Sequence, residues 1–185
     1  MYPHHLHNNR LIPANIDAMP HEQKQIVEVI LLRTELIHDI EAICHQLEKQ
    51  RKPDEPLLLE GSTNDNYLLK RYMDTAINQA VARCQAYLLL PSPFVRRISA
   101  DHVHGWEEKS IFIAMPMNWP PHCIDSLRDA IHNYIVERTL QNYLLRLDPK
   151  AAEASDNQAA IHHNEINALL NTRFQPETIG STPFG

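Results

Sequence analysis

Residues 115–147, MPMNWPPHCIDSLRDAIHNYIVERTLQNYLLRL, form the stretch on which the fold of this chain depends. The stretch opens as the end of a strand, turns at the proline-stiffened corner Trp119–Pro121 and continues as the most apolar helix of the chain. Two consecutive prolines suit a helix start, because proline has no N–H to lose in the first turn and its φ is already near helical. Asp148–Pro149 stops the helix, since the residue before a proline is disfavoured in helical geometry.

The apolar residues of this core helix recur at helical spacing and cover more than one of its faces. A helix with so wide an apolar surface must be covered on more than one side, either by helices of its own chain or by a neighbouring subunit. The apolar positions are Ile124, Leu127, Ile131, Tyr134, Ile135, Val136, Leu140, Tyr143, Leu144 and Leu147.

Three further helices are predicted. The first runs from Pro20 to about residue 51, where apolar residues follow three- and four-residue steps like a coiled-coil seam; it packs either on its own domain or against another subunit. The second covers about residues 65–89 and follows a loop that contains two prolines. Its alanines at 76 and 80 would let another helix come close. The third, about residues 151–173, is polar with a narrow apolar stripe.

Two segments are good strand candidates, Phe94–Ser99 and Ser110–Met115. The second carries apolar residues on both alternating faces, which predicts a strand that is buried on both sides or nearly so. A two-stranded hairpin is marginal on its own. We therefore expect this hairpin, at about residues 94–115, to pack on the helices or to join a sheet made with other subunits.

Together these elements predict a mainly α fold, a bundle of about four helices with a small β-hairpin insertion. We expect residues 20–174 to form a single helical domain. Residues 1–19 and 175–185 have no apolar period and contain prolines, so we interpret them as an extended N-terminal arm and an extended C-terminal tail. Such ends are either disordered or act as straps on a partner.

Composition narrows the classes of function. The formal charge of −6 argues against a general nucleic-acid binder, whose contacts need a basic face. The three cysteines are odd in number and far apart, which favours buried reduced thiols over a disulfide framework. The N-terminus lacks the apolar core of a signal peptide, and the longest apolar runs are too short to cross a bilayer, so no membrane contact is expected.

No catalytic, cofactor-binding or metal site is predicted. The twelve histidines are accompanied by no HExxH motif and no Cys/His quartet, so we interpret them as surface residues. His122 lies beside Cys123, but neighbours at a helix start point apart, which favours a packed thiol over a nucleophile and its base. Four scattered glycines cannot form a phosphate-binding loop, and no cofactor is expected. The histidine groups are His4, His5 and His7; His102 and His104; His122; and His162 with His163.

One constellation on the core helix suggests an enzyme. Arg128, His132 and Tyr134 stand together in RDAIHNY, which resembles the arginine–histidine–tyrosine motif of HEPN-type helical ribonucleases. The resemblance implies that Arg128 and His132 act on RNA phosphates. The spacer between them is three residues, whereas the family pattern has at least four.

The order of elements over residues 65–173 resembles the head–tail connector (neck or adaptor) proteins of tailed bacteriophages. The resemblance is carried by NDNYLLKRYMDTAINQAVARCQAYL, a short β excursion, and PPHCIDSLRDAIHNYIVERTL. It implies a non-enzymatic virion structural protein in the neck or tail region, assembled in the host cytoplasm. The implied partners are copies of itself in a ring, commonly of twelve, the portal protein, other neck or tail proteins, and DNA in the channel. The alternatives are another tail or tail-completion structural protein and the HEPN-like ribonuclease.

Overall fold

The computed structural model describes residues 24–52, 57–59, 63–88 and 108–173. In these residues four α-helices and one two-stranded antiparallel sheet are present, which confirms the predicted fold class of a helical bundle with a small β element. The elements in chain order are β1 (Lys24–Leu32), α1 (Arg33–Glu48), α2 (Thr63–Arg83), a 3-10 turn (Gln85–Tyr87), β2 (Glu108–Pro116), α3 (Cys123–Leu144) and α4 (Pro149–Asn171).

The predicted N-terminal arm, C-terminal tail and strand 94–99 lie outside the described residues. The second predicted strand is confirmed as β2 and extends slightly at both ends. Its partner in the sheet is β1, which is separated from it in sequence by α1 and α2, with a register that runs from Lys24 opposite Pro116 to Leu32 opposite Glu108. The opposite edge of β2 carries an isolated antiparallel bridge between Leu88 and Ile113.

The predicted helix starting at Pro20 is wrong over residues 24–32, which form β1. Four of these nine residues are β-branched isoleucine or valine, whose restricted χ1 favours strands. Val27, Val29 and Leu31 alternate with exposed residues, which is the period of a strand with one buried face. From Arg33 onward the helical prediction holds. Of the predicted seam, Leu36 and Ile40 are buried, and Cys44 beside the seam is buried as well.

The helix α3 lies at the centre of the core, as its wide apolar stripe predicted. Eleven of its residues are buried, and it contacts α1, α2, α4 and β1. Each large aliphatic side chain buried in this way contributes about 1.5–3 kcal/mol to folding. Ala76 and Ala80 of α2 are fully buried, and such small side chains let two helices approach closely. The apolar stripe of α3 is thus covered in good part by the chain's own elements.

Two corners hold the ends of α3 and α4 together. Trp119 is buried, and its indole Nε1 donates a hydrogen bond of 2.8 Å to the carbonyl of Leu169 near the end of α4. At the other corner the carboxylate of Asp148 accepts a hydrogen bond of 3.1 Å from the backbone N–H of Ala151 and caps α4, with Pro149 in the first turn. The helix α3 ends at Leu144, three residues before Leu147, the last residue of the predicted helix.

Candidate functional site

An open groove of about 940 Å³ lies between the start of α1 and the N-terminal half of α3. The last residues of β1 form the apolar end of this groove, and the two helices form its polar part. We call it the α1–α3 groove. It is lined by Ile30, Leu32, Thr34, Glu35, His38, Asp39, Arg128, Asp129, His132 and Asn133.

A histidine–aspartate contact joins the two walls of the α1–α3 groove. His132 Nε2 of α3 lies 2.8 Å from the Oδ2 atom of Asp39 on α1. The other oxygen of the same carboxylate lies 3.6 Å from His38 Nδ1. One carboxylate is therefore shared between two imidazoles, and it fixes the ring of His132 while His38 stays largely exposed.

The charge of the α1–α3 groove is negative. The carboxylates of Glu35, Asp39 and Asp129 outnumber the single guanidinium of Arg128. That guanidinium is itself paired, because Arg128 Nε lies 3.4 Å from Asp129 Oδ1 and Arg128 Nη1 lies 3.6 Å from Asp125 Oδ1. Exposed pairs of this kind contribute little to stability, but they decide which ligand charge the groove attracts. The lining of the groove thus holds more carboxylate than guanidinium groups.

A second, smaller cavity of about 220 Å³ continues the groove along α1 and α3 towards α4, and it shares Asp39 and Asn133 with the first. Its distinctive residue is Glu137. Burial raises the pKa of the Glu137 carboxyl, while the side-chain hydrogen bond with Ser155 and the charge of His162 act in the opposite direction. Desolvation of a carboxylate favours its protonated form, so Glu137 binds its proton more tightly than an exposed glutamate.

The structure brings together two of the three residues of the HEPN-like constellation. Arg128 and His132 are four residues apart on one face of α3, and both line the α1–α3 groove. Tyr134 lies on another face, is 2% exposed, and its hydroxyl has no hydrogen-bond partner in the described part of the chain. Its ring centroid lies 6.4 Å from that of His163. The tyrosine therefore belongs to the core and not to the groove.

The other sequence candidates are dispersed. Cys123 is buried and His122 is exposed, as a packed thiol beside a surface histidine would be. Burial raises the pKa of the Cys44 thiol to about 12 and that of Cys84 to about 11, so neither is a nucleophile at neutral pH.

The other histidine groups noted in the sequence either do not line the α1–α3 groove or lie outside the described residues. His163 on α4 has its pKa lowered by burial and then by the charges of Arg83 and Arg138. The groups His4, His5 and His7 and His102 with His104 lie outside the described residues. Within ranges 24–52, 57–59, 63–88 and 108–173 there is no group of three or more His, Cys, Asp or Glu side chains placed to hold a metal ion.

Sequence reasoning missed the α1 wall of the groove. Glu35, His38 and Asp39 lie within two turns of one helix, and that spacing is visible in the sequence. The contact with His132 joins residues 93 positions apart, however, and only the folded chain shows it.

Comparison with protein-family models, with curated proteins and with solved structures found no match for this chain. None of the described helices is both long enough and apolar enough to span a bilayer.

Proposed function

We propose that this protein is a structural subunit of a bacteriophage virion, and specifically a head–tail connector or neck protein that joins the portal to the tail as part of a homo-oligomeric ring. This role is suggested by the order of elements in the sequence, a capped helix, a short β segment and a long apolar helix. In the structure these are α2, β2 and α3. Such a subunit would work through its surfaces, by contacts with copies of itself, with the portal and with other neck or tail proteins, and its place would be the virion.

The observation that carries the proposal is the apolar surface that remains after the core is complete. Ile26 and Ile30 are exposed on one face of β1, and Phe112 of β2 is half-buried on the same face. Leu145 and Leu147 are exposed at the α3–α4 corner. Single exposed apolar residues are ordinary, but neighbouring ones on one element mark contact surfaces.

The corner at the end of α3 shows how such a surface is built. Leu57 is also exposed, and the adjoining Leu58 receives a hydrogen bond of 2.7 Å at its carbonyl from the hydroxyl of Tyr143. Arg51 Nη2 donates a hydrogen bond of 3.4 Å to the Leu147 carbonyl. These bonds hold exposed leucines of two segments at the same end of the molecule. An apolar surface whose segments are already fixed by hydrogen bonds loses little conformational entropy when it binds a partner, which favours a permanent contact.

Removing the gene from a phage that encodes it tests the proposal. Without a connector, the phage should accumulate DNA-filled heads and complete tails that do not join, as seen by electron microscopy. Supplying the protein in trans should restore joined particles. Joined, infectious particles without the protein would refute the proposal. Labelling the protein in intact virions separates the neck from the alternative of another tail or tail-completion protein, since label on the tail alone favours the latter.

A second candidate, a HEPN-like ribonuclease, is favoured by one observation, the position of Arg128 and His132 in a common groove with a carboxylate against the imidazole. A carboxylate-bound histidine can serve as a general base. Two features weigh against it, the buried Tyr134 and the negative charge of the α1–α3 groove, which repels RNA phosphates. Ribonuclease activity that is lost in His132→Ala and retained in the exposed-surface variant His122→Ala would favour the enzyme. An inactive parent protein would remove it.

A further inference from the structure

The sheet has one strand edge that no described strand covers. β2 is paired with β1 along one edge and bridged by Leu88 on the other, so it lies in the middle. β1 pairs with β2 alone among the described residues. An edge strand presents a row of backbone N–H and C=O groups and is a template for pairing with a further strand.

The exposed face of β1 next to this edge has a simple pattern. Ile26 and Ile30 are 37% and 41% exposed, and Glu28 between them is also exposed. A strand that adds to this edge places its side chains beside these three, because successive residues alternate between the two faces. The best partner therefore presents apolar, basic and apolar side chains at every second position.

The residues around β1 also favour a positively charged partner strand. Ile30 and Leu32 belong both to β1 and to the α1–α3 groove, so the exposed face of the strand runs directly into the groove. The groove carries an excess of carboxylates over cations. A basic strand bound at β1 would have this negative field along one side.

The chain itself contains a segment with the required pattern, FVRRIS at residues 94–99. Phe94, Arg96 and Ile98 give apolar, basic and apolar at alternate positions, which complements Ile26, Glu28 and Ile30. We propose that residues 94–99 of a second copy of this chain add as a strand to the edge of β1 that no described strand covers, with Arg96 opposite Glu28. The inference deepens the proposed function and rests on it for the ring, since a strand given by one subunit to the next is a head-to-tail contact that a ring can close.

The donor is a second copy because of where the segment is attached. Leu88, which precedes it, is bridged to the edge of β2 opposite β1. Glu108, which follows it, opens β2 itself. The described residues on both sides of the segment are thus tied to β2, and not to the edge of β1 that no described strand covers.

Charge reversal in the full-length protein tests the pairing. Glu28→Arg and Arg96→Glu should each weaken self-association by roughly twofold to thirtyfold, because each replaces an attractive cross-strand pair by a repulsive one. The double variant should restore association. Arg97→Glu is the matched control, since it makes the same charge change at the neighbouring, opposite-facing position and should have the smaller effect. Association is measured by light scattering, and circular dichroism checks the fold of each variant.

A labelled peptide of residues 92–101 provides the second measurement. The peptide should bind the full-length protein, and Glu28→Arg should weaken this binding. If the peptide binds in this way to a protein that is monomeric, the result supports the strand-binding site on β1 and refutes the ring. If the wild type assembles and neither reversal changes its mass or the binding of the peptide, the inference is overturned and the proposed function stands. If the reversals change only the melting temperature of a monomer, the segment pairs within its own chain, which also overturns the inference.

Discussion

Substituting Trp119 by alanine tests whether the corner before α3 organises the fold. The side chain is 1% exposed, and its Nε1 donates to the Leu169 carbonyl at 2.8 Å. The variant empties a buried indole site and removes the side-chain hydrogen bond between this corner and the end of α4. The hydrogen bonds from Gln25 Nε2 to the carbonyls of Pro116 and Trp119 involve backbone oxygens, so the substitution leaves their acceptors in place.

The expected loss has two parts. Replacing a buried tryptophan by alanine costs about 3–5 kcal/mol through lost burial and the cavity that remains. The lost hydrogen bond adds about 0.5–1.5 kcal/mol. This second part falls at the low end because the Leu169 carbonyl still accepts the backbone N–H of Thr172 at 3.2 Å. For a chain of this size the sum lowers the melting temperature by roughly 8–20 °C.

Urea unfolding followed by circular dichroism measures the loss. Trp119→Phe keeps an aromatic ring in the site and should cost about 1–2 kcal/mol, which provides a graded value if the alanine variant does not fold. Met117→Ala is the matched control, because Met117 lies two residues away and is 58% exposed; its effect should stay within about 0.5 kcal/mol. A Trp119→Ala variant as stable as Met117→Ala would refute the role of this corner.

Three further predictions follow from the titratable groups. The backbone N–H of Leu59 and other hydrogen bonds lower the pKa of Glu48, so its contribution to stability is present at neutral pH and is lost as the pH falls below the ordinary value of 4.5; Glu48→Gln should destabilise at neutral pH, and urea unfolding should show the difference shrinking in acid. Burial raises the pKa of Glu137, so the pH dependence of its contribution to stability has the opposite sign: the contribution is present in acid and is lost as the pH rises through the folded-state pKa. Glu137→Gln should therefore stabilise the protein at neutral pH and should give no gain in stability below pH 4.5. A common sign for the two variants at neutral pH would contradict the assignment. The thiols of Cys44 and Cys84, with pKa values raised to about 12 and about 11, should react with a thiol reagent only after unfolding; rapid reaction of the native protein would show that these sites open.

The sequence was sufficient to predict the helices whose apolar period is strong. The wide stripe of α3 and the small residues Ala76 and Ala80 of α2 predicted a central helix with a close neighbour, and the structure confirms both. β2 was recognisable because apolar residues occupy both of its faces over residues 111–115.

The first strand could not be predicted, because its pattern fits two periods at once. Val29 satisfies a seam of three- and four-residue steps that continues into α1, and it also satisfies the two-residue alternation of Val27 and Leu31. Tertiary structure determines that this segment is a strand and not a helix, since its backbone hydrogen bonds are made with β2, which lies more than 70 residues away in the chain.

The candidate site was predictable only in its α3 half. The spacing of Arg128 and His132 places them on one face of a helix, and the structure puts both in the α1–α3 groove. The carboxylate against His132 comes from α1, and the burial of Tyr134 depends on the packing of α4, neither of which a local pattern contains.

The native mass of the full-length protein, alone and mixed with its portal protein, tests the central claim most directly. The chain has a mass of 21.4 kDa, and the proposed ring predicts a species of about twelve times that mass, formed by the protein alone or on the portal. A single 21.4 kDa species in both samples, at the highest soluble concentration, would contradict the claim that this chain functions as an assembled subunit.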